Sequence, residues 1–598
     1  MSLFLITTAD ERSWKFDRSV LFLGEWCRRY DRKKIWREMD ASVAVPFGLP
    51  IAERDRNLAY VAASSRRLLG ELVNVLNEFH GTTHTFRYWH IVLGHWVQRF
   101  VTLIFNRYFT VEQALSNVRA LETTLFDCEN YSLATSDTLA FIWACSNDEW
   151  NHVLYGKILK FLGGVGTQID PEPLHGVRGF QQSDSSRPGS KSSLVQKART
   201  AINIALPKLS GKNDAFVLNT YLPLLEELKL QIHLGQCPQL WRSPPLRESQ
   251  LDLKVRDALN IEDGNARGFE LFIRQQLKSM IPTCYLEGYG QLVSQVEALP
   301  WPSQPRHIFS SNSFDTDEIF KVWTGLKAEQ GVPYFAGQHG NNYGTHVSYG
   351  NASWPERSAT DRFITWGEWL GDEQGNAPAF LFKTAGKKPR RFDPKGGALL
   401  VENLFMHRLD VSDTNHEYQS YQEAQFHFVS QLPLDIQSRL TVRLHSAYKS
   451  SSWCDDQRWK DRSPATRVEQ GVVPIDQLIQ KSRLVIHSYD STGTLETLAL
   501  NIPTLCFWSG GLDHVLPVMK PYYEVLRSAG ILIESPDQAA KFVATQWECM
   551  EEWWSSATVQ HARRIFCQQF ARTDKTPART LSRLLRRLEA EHGRVQET

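Results

Sequence analysis

The sequence predicts an α/β chain whose parallel sheets form two halves facing a cleft, and three observations predict it. Short apolar runs recur and each ends in small or polar residues; helix-patterned segments separate them; and a basic, Pro- and Gly-containing break from Gly386 to Gly397 divides one such series from the next. Strand and helix in alternation give parallel strands with right-handed crossovers. Ligands of such sheets collect beyond the carboxyl ends of the strands, so the residues closing each apolar run are the candidates for function.

The elements follow in chain order. Leu3 to Ile6 and Val20 to Leu23 read as strands, and the Trp-rich stretches Arg87 to Phe105 and Leu133 to Phe161 read as long helices. Gln181 to Ser193 is rich in Ser, Pro and Gly and is expected to be a mobile surface loop or an insertion boundary. The next strands are Ala215 to Leu218, His307 to Phe309, Val332 to Ala336 and Arg362 to Thr365. Past the break come Ala398 to Val401, Leu440 to His445, Leu484 to Ser488, Thr504 to Trp508 and Gly530 to Ser535, with helices over Pro474 to Lys481, Thr494 to Leu500 and Lys520 to Ser528. The expected domains are 1–386, enlarged by helical insertions, then 398–535, then C-terminal helices over 536–598 that pack back across the fold.

Composition excludes several classes. With 598 residues, 42% hydrophobic and 22% charged, the chain has ample material for cores and is neither fibrous nor disordered. Lys plus Arg number 67 against 66 Asp plus Glu, which argues against a protein built to coat nucleic acid. Nine Cys lack any CxxC pair or regular Cys/His spacing, so neither a zinc site nor a disulfide framework is expected, and reduced thiols fit a cytoplasmic protein. No signal peptide or membrane-spanning segment is read.

The most informative segment runs from Ser482 to Trp508: a buried strand ends at His487-Ser488, a turn carries Ser491 and Thr492, and a helix follows before Asn501-Ile-Pro503. Free amides at the helix start, with those hydroxyls, suit phosphate oxygens, and Glu496 is placed to accept from a ribose. The competing account is a plain N-cap at Ser491 or Thr492.

This segment resembles the nucleotide-binding half of two-domain GT-B glycosyltransferases, especially the Kdo transferases and sialyltransferases that use CMP-activated acidic sugars. His487, Ser488, Ser491, Thr492, Glu496 and Pro503 fill the corresponding places. Phe22-Leu-Gly-Glu-Trp-Cys27, Arg87-Tyr-Trp89, Gly337-Gln-His-Gly-x-x-Tyr-Gly-Thr345 and the Trp366 to Trp369 region resemble a family of surface-carbohydrate transferases over nearly the whole chain. The resemblance implies a GT-B-like architecture of two Rossmann-like domains. It implies transfer of a sugar, best an acidic one such as Kdo from a CMP donor, to a surface polysaccharide or lipid-linked glycan. The nucleotide sugar is then substrate, with no cofactor, no metal, no nucleic-acid partner, and at most peripheral contact with the inner membrane surface. The alternatives are a polyol-phosphate transferase of the CDP-glycerol type and a non-catalytic nucleotide- or glycan-binding module.

Further candidates come from strand ends. His339 lies between glycines that let a ligand approach, and is read as an acid/base or phosphate contact against a turn-fixing role; Gln338, Asn341 and Tyr343 beside it are assigned to substrate. Asp315 is a candidate nucleophile, against helix capping by Asp315 and Asp317. Arg443 and His445 close a strand where a guanidinium can neutralise phosphate, against a salt bridge to Asp455 or Asp456. Glu25 is the candidate acceptor base, with Asp148 and Glu149 as an alternative pair. His84, His90 and His95 are read as packed or surface residues. The stripe Leu581, Leu584, Leu585 and Leu588 beside Arg583, Arg586 and Arg587 is read as a packing helix, against a membrane-surface helix.

Overall fold

A computed structural model describes residues 3–118, 121–129, 131–173, 210–259, 261, 264–350, 354–368, 375–388, 392–404, 410–451 and 453–597. The serine-rich stretch at 181–193, Trp369, and 389–391 of the break lie outside the described residues.

The α/β expectation holds: three sheets, all parallel, carry the fold. Where the sequence reading anticipated one sheet before the break, there are two. The first contains β1 (Leu3–Ile6), β2 (Val20–Phe22), β3 (Ala41–Val43), β4 (Leu121–Asp127) and β5 (Val165–Pro173), in the order β3-β2-β1-β4-β5. The second contains β6 (Phe216–Leu218), β7 (Ile308–Ser310), β8 (Tyr334–Gly337), β9 (Arg362–Thr365) and β10 (Asn376–Pro378), laid side by side in chain order. The third contains β11 (Gly397–Val401), β12 (Leu440–Arg443), β13 (Arg467–Glu469), β14 (Ser482–His487), β15 (Thr504–Phe507) and β16 (Leu532–Ile533), in the order β13-β12-β11-β14-β15-β16. The first and third sheets therefore each reverse direction once, between β1 and β4 and between β11 and β14. A crevice opens at the carboxyl side of such a switch point.

Helices cover these sheets. α1 (Ile51–His80) and α2 (Phe86–Asn117) pack on each other, and α2, capped by Thr85, is buried along most of its length. The stretch Leu133 to Phe161 forms two helices rather than one, α3 (Thr138–Ala144) and α4 (Asp148–Leu162). Asn147 explains the break: its side chain accepts from the Trp150 amide at 2.8 Å and so starts a new helix. α5 (Leu224–His233) and α6 (Glu318–Glu329) flank the second sheet, and α7 (Thr414–Gln431), α8 (Asp455–Arg462), α9 (Thr492–Ala499) and α10 (Lys520–Ser528) flank the third.

The tail, with α11 (Ala557–Phe570) and α12 (Pro577–Glu597), returns to the second sheet. Leu381 donates to the Arg572 carbonyl at 2.8 Å, Arg572 donates to that of Trp366 at 2.9 Å, and α12 lies on α5. Leu581, Leu584, Leu585 and Leu588 are buried there, while Arg586 bonds the His233 carbonyl and Arg587 pairs with Glu591. One apolar core joins both N-terminal sheets, the tail, and Leu495, Leu498 and Tyr523 of α9 and α10. No described helix is long and apolar enough to cross a membrane.

Candidate functional site

The turn after β14 is built around a buried imidazole. His487 ends the strand, and its Nε2 meets the Thr497 hydroxyl at 3.1 Å beneath α9. A side chain at Gly493 would stand 2.9 Å from the His487 ring, so glycine is what lets the helix start directly over it. Burial lowers the His487 pKa to about 4, so the imidazole is neutral where it supports the turn. Ser488 is likewise committed, donating to Gln425 at 2.8 Å and sharing a hydrogen bond with the Tyr421 hydroxyl at 2.9 Å. Ser491 occupies the N-cap position of α9 in extended backbone, yet its side chain does not cap the helix. The plain-cap account of this hydroxyl therefore fails.

The loop after β8 meets that turn from the other half. Gln338 holds its shape, donating to the Gly340 carbonyl at 2.8 Å and accepting from the Trp366 amide at 2.9 Å. The Asn341 amide N–H donates to the Thr492 hydroxyl at 3.2 Å, and its side chain donates to Asp490. Tyr343 is buried and donates to Glu356 at 2.6 Å. Polar atoms of all three residues hold the loop and fix it against the third sheet, while Asn341 Oδ1 has no hydrogen-bond partner among the described residues.

His339 is oriented by a chain of hydrogen bonds. Its Nδ1 lies 3.2 Å from the Tyr343 hydroxyl, whose own proton goes to Glu356. The hydroxyl oxygen can then only accept, so Nδ1 carries the proton and Nε2 keeps its lone pair. Glu356 in turn holds buried His95 at 2.8 Å. Burial lowers the His339 pKa, although Glu356 and Asp315 pull the other way. Asp315 pairs with Arg99 of α2; burial alone would raise its pKa, but Arg99, with His95 and His339 nearby, holds it at about 2. Capping falls to Asp317, which accepts from the Phe320 amide at 3.1 Å.

Around His339 stand residues the sequence did not flag. Tyr221, in the loop after β6, has φ +62°, a conformation rare for a bulky side chain, and its ring lies parallel to that of His339 at 6.2 Å. Lys383 sits 4.9 Å from the centre of the Tyr221 ring and 3.9 Å from Glu496. Glu496 thus faces the second sheet across the seam, and burial raises its pKa.

Asp490 is the hub of the seam. It accepts from Asn341, from Tyr523 at 2.9 Å and from His514 at 3.1 Å, with His346 at 3.4 Å. Burial would raise its pKa, but these partners hold it well below the usual carboxylate range. Beside it opens a cavity of ≈ 330 Å³ lined by Glu417, Tyr421, Tyr489, Asp490, Trp508 and His514, among others. His346, Asp490 and His514 are the described residues able to hold a metal ion.

Other expected site residues lie apart from this arrangement. Glu25 is bound to Arg28 at the tip of the first sheet. Asp148 and Glu149 face Ala9 and Arg12. Arg443 turns to the Leu444 carbonyl at 3.1 Å and to Glu469 at 3.8 Å, not to Asp455 or Asp456; Asp455 accepts from Tyr418 and Gln422, and Asp456 from Tyr448. His445 accepts from the Ala447 amide at 3.1 Å, which shapes its own turn.

Comparison with known proteins adds a family and a set of distant folds. A family model described as LIC12162 family transferase matches residues 3–585. No curated protein matches the chain. Similar solved structures include the spinosyn rhamnosyltransferase SpnG with spinosyn aglycone, at 14% identity over 51% of this chain and 77% of that one, TM-score 0.29. The calicheamicin glycosyltransferase CalG4 aligns at 13% identity over 51% and 81%, TM-score 0.27. The S. aureus MnaA-UDP co-structure aligns at 11% identity over 49% of this chain and 78% of that one, TM-score 0.30.

Proposed function

This chain belongs to the LIC12162 family of transferases, and on that premise we propose that it moves a sugar from a nucleotide donor to a glycan acceptor at the seam between its second and third sheets. The observation that carries the reading is the contact of the Asn341 amide with Thr492, which brings the loop bearing His339 against the start of α9. Ser491, uncommitted as a cap, and the first amides of α9 then meet the departing phosphate, where fixed dipoles stabilise growing charge. The neighbouring cavity accommodates the nucleoside, with Tyr489 and Trp508 on its wall.

His339 is the acid/base: its Nε2 takes a proton from the acceptor hydroxyl, and the Tyr343–Glu356–His95 chain steadies the resulting imidazolium. Asp315, kept ionised by Arg99, adds negative charge near a cationic transition state at the sugar. The donor assigned is CMP carrying an acidic sugar such as Kdo; Lys383 supplies a cation for its carboxylate. The acceptor assigned is a bacterial surface polysaccharide.

A panel of CMP-, UDP-, GDP- and CDP-linked donors, assayed for binding and nucleotide release, tests this. Release of CMP with sugar on the product is expected. Glycerophosphate on the product would replace the sugar by a polyol phosphate, and binding without release would leave a non-catalytic module.

A further inference from the structure

Three loops bring three ligating side chains together where the halves meet. His346 comes from the β8–β9 connection, Asp490 from the turn after β14, and His514 from the segment after β15. One ligand atom of each lies within 4.8 Å of the others. The Nε2 of His514 stands 3.1 Å, and that of His346 3.4 Å, from the same Asp490 oxygen. Around tetrahedral zinc with bonds of about 2.1 Å, ligand atoms stand about 3.4 Å apart. These separations match two edges of such a tetrahedron.

Hydrogen bonding alone accounts poorly for the arrangement. That Asp490 oxygen already accepts from Tyr523 at 2.9 Å. The Nε2 of His346, on a side chain only 8% exposed, has no hydrogen-bond partner among the described residues. A cation among the three gives every one of these atoms a partner. The backbone holds the ligands in place: Val347 donates to the His514 carbonyl at 3.0 Å and Leu516 to that of Thr345 at 2.7 Å. Tyr523 and Asn341 supply the outer hydrogen bonds that orient a ligating carboxylate. Two imidazoles and one carboxylate suit zinc, and because Asp490 and His514 line the cavity, a fourth position can face it.

We propose that His346, Asp490 and His514 bind one divalent transition-metal ion, zinc by preference, which clasps the two halves beside the cavity. The sequence expectation of no metal centre looked for regular Cys/His spacing, and ligands at 346, 490 and 514 have none.

The test titrates tag-free, chelator-stripped full-length protein with ZnCl2 in a calorimeter, without nucleotide. One saturable equivalent is expected, lost in His346→Ala and in His514→Ala, and weakened about tenfold or more in Tyr523→Phe. His514, with 24% of its side chain exposed, is the replacement the fold tolerates best, and circular dichroism verifies each variant. Co2+ in place of zinc should show the visible absorption of a four-coordinate site without a thiolate charge-transfer band. Absence of saturable binding, binding that persists in the His346→Ala/His514→Ala double variant, or a thiolate band would overturn the proposal. Since the titration contains no nucleotide, its failure leaves the sugar-transfer reading standing, and a negative donor panel leaves the metal site standing.

Discussion

The first and third sheets share one topology and differ in what stands at the switch point. At the tip of β1, Trp14 and Trp26 donate to the carbonyls of Thr8 and Thr7 at 3.0 and 2.9 Å, and the Thr7 hydroxyl meets buried His152 at 2.9 Å. The crevice is filled with side chains, and the neighbouring connection docks onto α8 through Tyr30 and Asp461 at 2.9 Å. At the tip of β14, an uncapped helix start and a ≈ 330 Å³ cavity occupy the equivalent place. Topology supplies a crevice twice; the side chains fill one and leave the other open.

Substitutions at the two tips should therefore fail in different ways. His339→Ala is expected to lower turnover by about 10²–10⁴-fold, the usual worth of general acid–base catalysis, with unchanged thermal stability. Steady-state kinetics beside a melting curve checks it; equal loss of both would assign His339 to the fold. Its burial-lowered pKa also carries a sign: the acid limb of kcat/KM should lie below pH 6.5, the ordinary value for histidine. Glu356→Gln removes a charge that favours the imidazolium, so the limb should move further toward acid.

Trp26→Ala sharpens the comparison from the other side. Removing this buried ring should cost about 3–5 kcal/mol in denaturant unfolding while nucleotide affinity stays unchanged. A weakened nucleotide site would mean that the two tips communicate.

How much of this was legible beforehand follows from where each signal sits. All strands of the second and third sheets except the edge strands β10 and β13 were readable because buried parallel strands are short apolar runs ended by polar residues, and those ends carried His339, Ser491 and Thr492. The first sheet was half hidden, since β4, Leu-Glu-Thr-Thr-Leu-Phe-Asp, lacks a clean apolar run. Glu356, Arg99 and His95 were invisible as a group because long-range packing of α2 against α6 and the segment Pro355–Ser358, not spacing, brings them to His339 and Asp315. Tyr221 gave no sign because its positive φ is a property of the folded loop. Asp490 stood inside the quoted turn and was passed over for the hydroxyls around it.

Smaller effects separate the residues that frame the open tip. Ser491→Ala should weaken nucleotide binding by about tenfold, one hydrogen bond to a charged group, and change stability by less than about 0.5 kcal/mol because no cap is lost. Arg443→Ala should leave turnover nearly unchanged. Its partner Glu469 stays satisfied by the amides of Gly471, Val472 and Val473.

The central claim is that the third sheet's switch point, closed from above by the β8 loop, grips the donor. A crystal structure with bound CMP or the donor nucleotide tests it most directly. The account predicts phosphate oxygens within hydrogen-bond reach of Ser491 and the first amides of α9, with the base in the cavity beside Tyr489 and Trp508. Nucleotide density at the tip of the first sheet, or anywhere away from that seam, would contradict it.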